Sequence, residues 1–430
     1  MNLPYIKFPT ALPSSTSEFT VTSDFTSLSK DRYQHVYIKI SHRDVLQTSN
    51  LQHVPRCKSI RPPLSSSRSL TNTPQRAWAH HITPKFTAAA TSGLPAIEIF
   101  FEDLLYLASS FAGGATPSNQ ILAAHQIRRL CDSLHLKIMG IGPFNNCEGL
   151  LDPVAKAAKL QELNLWFEIA RILGTDVIQI PCTFMTEGVT GDISIVSKDL
   201  REIADIGAAQ KPPFRFAYEN LCWGTFNDTW EKAWGVVKAV DRDNFGMCLD
   251  TFNIAGREYA DPERADGKVE NADVVFRESM RRMVKEIDVK KVFYVQVVDA
   301  ERLSRPLDKS HEFHVDGQKP RMSWSRNCRL FMCEEERGGY LPVLDVLRAI
   351  CDEKEGLGYK GWISMELFNR SLTVEGGQVP VEHANRAMES WRKIVKAMAW
   401  EDQVEAVPVS RKPIKQVLKD SEVVEISARL

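Results

Sequence analysis

Short apolar runs recur through the middle and end of the chain, separated by stretches whose apolar residues follow a helical spacing. The runs are PAIEIFFEDL, LKIMGIGPF, DVIQIP, RFAYE, FGMCLD, VFYVQVV and WISMEL. Among the intervening stretches are AKAAKLQELNLWFEIARIL, LPVLDVLRAICDEK and residues 119–134, where Ile121, Leu122, Ile127, Leu130 and Leu134 fall on or near one helix face. Strands that are apolar throughout are buried on both faces, and their alternation with helices implies a parallel sheet. Seven such units, with little chain left for another domain, predict an α/β fold, a (β/α)8 TIM barrel whose first strand is poorly marked.

That first strand is expected at 65–81, before a helix starting near Lys85, although SRSLTNTPQRAWAHH is a poor strand former. Further upstream VYIKI has strand character but no nearby partner. An open doubly wound sheet is the competing architecture, and no glycine-rich phosphate turn follows an early strand to support it. Residues 1–84 are rich in Ser, Thr and Pro and read as a disordered extension, residues 85–400 as the barrel and catalytic domain, and residues 401–430 as a charged tail. On this reading, truncation before about Ser65 leaves activity intact.

Composition narrows the function classes. A formal net charge of -1 gives no bias toward nucleic acid or an anionic membrane, and no apolar run reaches the length of a membrane span. The nine cysteines include no CxxC pair, and Cys182, Cys222 and Cys248 lie in or beside apolar runs. They read as buried reduced thiols, which suits a cytoplasmic protein and argues against thiolate-bound zinc. No histidine falls at a strand end, as a multi-zinc hydrolase would require.

Active sites of β/α barrels sit at the C-terminal ends of the strands. Those ends present Glu98, the turn Gly142-Pro143-Phe144, Gln179, Glu219, Asp250, Gln296 and Glu366. The segment 214–253 reads as strand, helix, strand, with Glu219 and Asp250 closing its two strands on the same edge. Any one acid there is equally read as a rim ion pair or loop cap, and Gln296 as a core amide. Together, three carboxylates and a carboxamide on four successive strands form a hard-oxygen donor set for Mg²⁺ or Mn²⁺, with positions left for water or substrate. Glu98 is followed by Glu102 and Asp103, which are competing acids.

A connection of roughly forty residues follows VFYVQVV, longer than an idle loop. Within it RMSWSRNCR gathers Arg321, Arg326 and Arg329 with Ser325 and Asn327, which suits a substrate carboxylate or phosphate. The competing reading is a solvated basic turn that pairs with the EEE just beyond it.

The phrases IEIFFEDL, DVIQIP, RFAYENLCW, VDRDNFGMCLDTFNIAGREYADP, KVFYVQVVDAERLS, RMSWSRNCRLF and GWISMELFNR are similar, in order, to the fungal 3-dehydroshikimate dehydratases of quinate catabolism. These belong to the sugar phosphate isomerase/epimerase-like TIM-barrel superfamily, and the resemblance covers about Lys85 to Ala399. It implies a divalent metal held by Glu219, Asp250, Gln296 and Glu366, and conversion of 3-dehydroshikimate to protocatechuate and water. It also implies that Ser325 and Arg329, with Arg326, meet a substrate carboxylate. Asn253 and Glu98 are further expected substrate contacts. In the wider superfamily, glutamates at the positions of Glu219 and Glu366 act as acid and base, with metal-bound hydroxide as the alternative base. The chain departs from the family at Gly142, where Gln is usual, and from some bacterial relatives at Asn253, where His stands. A sugar or polyol isomerase/epimerase and a degenerate, non-catalytic barrel are the competing assignments. A repair nuclease is opposed by Asn253 and Gln296, which stand where such enzymes place metal-binding histidines.

Overall fold

The structure is a computed structural model that describes the backbone of residues 36–40 and residues 80–400 in full. In chain order the strands are β1 (Val36–Ile40), β2 (Ala96–Phe100), β3 (Lys137–Gly142), β4 (Val177–Pro181), β5 (Arg215–Glu219), β6 (Phe245–Asp250), β7 (Val292–Gln296), the two-residue β8 (Asp299–Ala300) and β9 (Arg329–Leu330), and β10 (Ile363–Leu367). All but β8 and β9 run parallel and close into one barrel in the order β1-β10-β7-β6-β5-β4-β3-β2. The helices are α1 (Ile82–Ser92), α2 (Phe101–Ser109), α3 (Pro117–Ser133), α4 (Pro153–Leu173), α5 (Ile193–Ala208), α6 (Trp230–Val240), α7 (Thr251–Glu258), α8 (Ala272–Glu286), α9 (Pro320–Cys328), α10 (Val343–Cys351) and α11 (Val379–Ala397).

The barrel expected from the pattern is present, with one correction at its start. The place between β10 and β2 is taken by VYIKI: Val36 to Ile40 pair with Ile363 to Leu367, and Tyr37 and Ile38 pair with Ala96 and Ile97. VYIKI is rich in β-branched and aromatic residues, as a strand requires, and the Ser/Thr-rich segment at 65–81 is not. Residues 65–79, and the remaining expectations for 1–79 and 401–430, fall outside the described residues. The truncation expectation therefore reverses. A chain beginning at Ser41 lacks β1 and leaves β2 and β10 as bare edges, so it is expected to lose cooperative thermal unfolding and to aggregate. A soluble, fully active 41–430 fragment would show that β1 is dispensable.

Strand alternation divides the buried residues into two layers. Ile97, Ile141, Ile178, Ile180, Phe216, Phe245, Met247, Val295 and Met365 belong to the main core, which also includes Trp166, Phe167, Trp230 and Trp391 of the helices. Ala96, Val177, Ala217, Cys248 and Tyr294 form a separate small cluster. Each of these stands two residues before a polar group, Glu98 and Gln179 at mid-strand and Glu219, Asp250 and Gln296 at strand ends, so the polar groups share its face. The polar layer thus lies on top of a packed interior plug, at the C-terminal mouth.

Helix starts are set locally. Thr116, Asp152, Asp192 and Thr229 cap α3, α4, α5 and α6 by accepting backbone N–H bonds. Asp250 ends β6 and at the same time caps α7, accepting from Asn253 N at 2.6 Å. One carboxylate oxygen is thereby fixed by the strand-to-helix turn itself.

Candidate active site

Glu219, Asp250, Gln296 and Glu366 stand at the ends of β5, β6, β7 and β10, and each is at most 3% exposed. Register brings them together: Asp250 pairs with Gln296, and Gln296 with Ser364, two residues before Glu366. Both oxygens of all three carboxylates accept hydrogen bonds. Glu219 takes Asn253 Nδ2 at 2.8 Å and Gln179 Nε2. Asp250 takes Asn253 N on Oδ1 and Arg329 Nη1 at 2.8 Å on Oδ2. Glu366 takes Gln296 Nε2 at 3.0 Å and the same Arg329 Nη1.

Arg329 comes from the long connection after β7, at the point where α9 passes into β9. The segment expected to be either an anion clamp or a solvated turn is a helix, for which Pro320 at its first turn was the local signal. Arg329 is buried between the rings of Phe252 and Phe368, with its guanidinium carbon 4.3 and 5.2 Å from their centroids. Its Nε donates to Ser325 Oγ at 2.9 Å, so one turn of helix orients it. Among the described residues no hydrogen bond uses its Nη2 donors. Burial works against its charge, but Asp250, Glu366 and Glu219 hold its pKa above the ordinary value. Burial raises Asp250 to about 6; Arg329 opposes that rise and the Glu366 charge adds to it.

The other expected residues divide. Asn253 bridges Glu219 and Asp250, and its Oδ1 accepts from Cys222 N at 3.1 Å. Glu98 lies in the same layer and accepts from Tyr294 OH, Gln296 Nε2 and Ser364 Oγ at 3.1 to 3.4 Å. Of the acids that competed with it, Asp103 instead pairs with Lys85 at 2.6 Å in the helix layer. Arg326 Nη1 donates to Gln318 at 2.7 Å, within the connection. Arg321 donates to Gly256 O and Ala260 O, closing the C-terminal end of α7. The three arginines therefore do not form one anion clamp. Gln179 stands among the expected strand-end groups without an assigned role, and Tyr294 and Ser364 are additions of the structure. Their signal was phase: Tyr294 and Ser364 stand two residues before Gln296 and Glu366 on the inward face.

The donors fit a hard divalent cation in kind. A carboxylate offers about four lone-pair sites, so the bonds each one accepts leave others for an ion. Glu98, Glu219, Asp250 and Glu366 with the single guanidinium of Arg329 make a buried set that is net negative, which a cation offsets. In placement the fit is incomplete. Among the described residues no three His, Cys, Asp or Glu side chains converge on one point, and Arg329 Nη1 lies between Asp250 and Glu366. Gln296 turns its nitrogen toward the acids and its Oε1 toward the Cys248 thiol at 3.4 Å, so as placed it supports Glu366 rather than offering a ligand oxygen.

A family profile described as "Xylose isomerase-like TIM barrel" matches residues 86–394. The chain is 46% identical over 323 residues, 74% of its length and 89% of the relative's, to a Neurospora crassa protein named 3-dehydroshikimate dehydratase. A Pseudomonas aeruginosa protein of the same name is 27% identical over 66% of this chain and 36% of its own length. Among solved structures, a xylose isomerase-like TIM barrel/4-hydroxyphenylpyruvate dioxygenase fusion protein superposes with a TM-score of 0.56 at 24% identity, over 78% of this chain and 45% of the other. The IolI protein, whose structure carries a bound zinc atom, superposes at 0.52 with 17% identity, over 74% and 94%. These two likenesses concern the fold.

Proposed function

We propose, from the premise that this chain belongs to the xylose isomerase-like TIM-barrel family, that it dehydrates 3-dehydroshikimate to 3,4-dihydroxybenzoate and water. The observation that carries this reading is the similarity to the Neurospora dehydratase across nearly all of that protein. The strand-end layer supplies a chemistry for it.

Glu219, Asp250 and Glu366 would hold the metal, with Gln296 as the fourth proposed ligand. Bound IolI zinc shows that a barrel of this fold accommodates a metal in that protein. A divalent cation such as Mg²⁺ or Mn²⁺ supplies positive charge where a ketone oxygen turns negative as the neighbouring carbon loses a proton.

The chain's own residues do the rest. Arg329, oriented by Ser325, has its Nη2 donors available for a planar carboxylate, which places the substrate's acid group beside α9. Arg326, Asn253 and Glu98 complete the proposed surroundings of the ring. Glu219 and Glu366 form the acid and base pair. Glu366 is bonded directly to the Arg329 guanidinium. Glu219 is held by two neutral amides and accepts the proton α to the ketone. The β-hydroxyl receives a proton and leaves as water. A final proton shift onto the former ketone oxygen makes the ring aromatic, so atoms balance without a redox partner.

Purified protein given 3-dehydroshikimate with Mg²⁺ or Mn²⁺ is expected to develop the ultraviolet absorbance of a catechol. Absence of product with every divalent metal tried would sink the assignment.

A further inference from the structure

We propose that Gln179 orients the substrate by accepting a hydrogen bond from a ring hydroxyl on its amide oxygen, while its amide nitrogen holds Glu219. This rests on the dehydratase reading above and adds to it a residue that selects for hydroxylated rings.

Gln179 is 3% exposed and lies on β4 in the inward layer shared with Glu219, whose strand neighbour Ala217 pairs with it in register. Its Nε2 donates to Glu219 Oε2. Chemistry settles which end faces which way. A carboxylate only accepts, so the NH₂ group must meet Glu219 and the amide oxygen must turn away from it. That oxygen, Oε1, is buried and has no hydrogen-bond partner among the described residues. Buried acceptors in native proteins nearly always have a donor, so this oxygen calls for one that the described side chains do not supply, from a water or a ligand.

A second observation bears on the same oxygen. A β-carbon on Gly142 would overlap Gln179 Oε1 and lie 2.7 Å from Gln179 Cβ. Gly142 is not among the residues with positive φ, so its backbone does not require glycine. What the missing side chain provides is the space into which the Gln179 amide projects. A neutral amide also suits the place: a glutamate there would add another carboxylate against Glu219, whereas the amide offers an acceptor without more negative charge. The substrate class that matches is a ring bearing hydroxyl donors.

The test compares metal-loaded wild type with Gln179→Met, which keeps volume and removes both hydrogen-bonding ends. Metal content, steady-state constants for 3-dehydroshikimate, and inhibition by 3-oxocyclohex-1-ene-1-carboxylate, which lacks the ring hydroxyls, are measured for both. The expected result is unchanged metal content, KM for 3-dehydroshikimate raised about 10-fold or more, and an inhibition constant for the dehydroxylated compound equal within about 2-fold. Equal weakening toward both compounds, or a fall in kcat with KM unchanged, makes Gln179 a prop for Glu219 alone and overturns the proposal. Loss of metal makes Oε1 a ligand and overturns it too. An inactive wild type overturns this proposal together with the dehydratase reading; an active wild type with an unaltered variant overturns this proposal alone. Should Gln179→Met fail to fold, Gly142→Ala displaces the same amide and is expected to show the same discrimination between the two compounds.

Discussion

Glu219→Ala is expected to lose bound divalent cation and catechol formation together, with kcat/KM falling about 10³-fold or more. The two oxygens of Glu219 accept from the side-chain amides of Asn253 and Gln179. Its removal takes away the proposed metal ligand and proton acceptor in one step, and leaves two buried amides without their acceptor. Metal analysis of the dialysed variant, beside product absorbance, separates the effects. Full turnover with metal retained would remove Glu219 from the site.

Arg329→Met is expected to destabilise the chelator-treated protein by about 3–5 kcal/mol, because it strips the shared counter-charge from two buried carboxylates. Asp250 and Glu366 both bond Arg329 Nη1, and all three residues are at most 2% exposed. The deficit has a predictable pH dependence. Burial already lifts Asp250 from 3.8 to about 6, with Arg329 opposing that rise. Without the guanidinium the carboxyl stays protonated to higher pH in the folded chain than in the unfolded one. Protonation therefore favours folding at acid pH, and that help disappears as pH rises from about 4 through 6 and beyond. The variant should be closest to wild type in acid and furthest from it near neutrality. Excess Mn²⁺, binding only the folded chain, should recover part of the loss. Urea midpoints measured across this pH range with and without Mn²⁺ provide the check, and midpoints unchanged from wild type would contradict the account.

The sequence made much of this site readable because β5, β6, β7 and β10 are short apolar runs, each carrying a polar group at or next to its last residue. Period-two alternation then assigns Glu219, Asp250, Gln296 and Glu366 to one layer. The same alternation reaches Tyr294, Ser364 and Gln179, whose partners become evident only once the strands are in register. VYIKI was harder to place for a different reason. Its partners are Ile363 to Leu367 at the far end of the chain and Ala96 and Ile97 beyond a long segment, and no local pattern carries so distant a pairing. The position of Arg329 was likewise out of reach. Three arginines within nine residues look alike in sequence, and α9 sends Arg321 to the end of α7, Arg326 to Gln318, and Arg329 alone into the acids.

The central claim is that a divalent cation at the strand-end carboxylates enables loss of water from 3-dehydroshikimate. The absorbance assay, run on wild type after chelation and dialysis and then during stepwise return of Mn²⁺, tests it most directly. The account predicts no product from the chelated protein and full recovery near about one equivalent of metal per chain. Turnover at the full rate in excess chelator would contradict it.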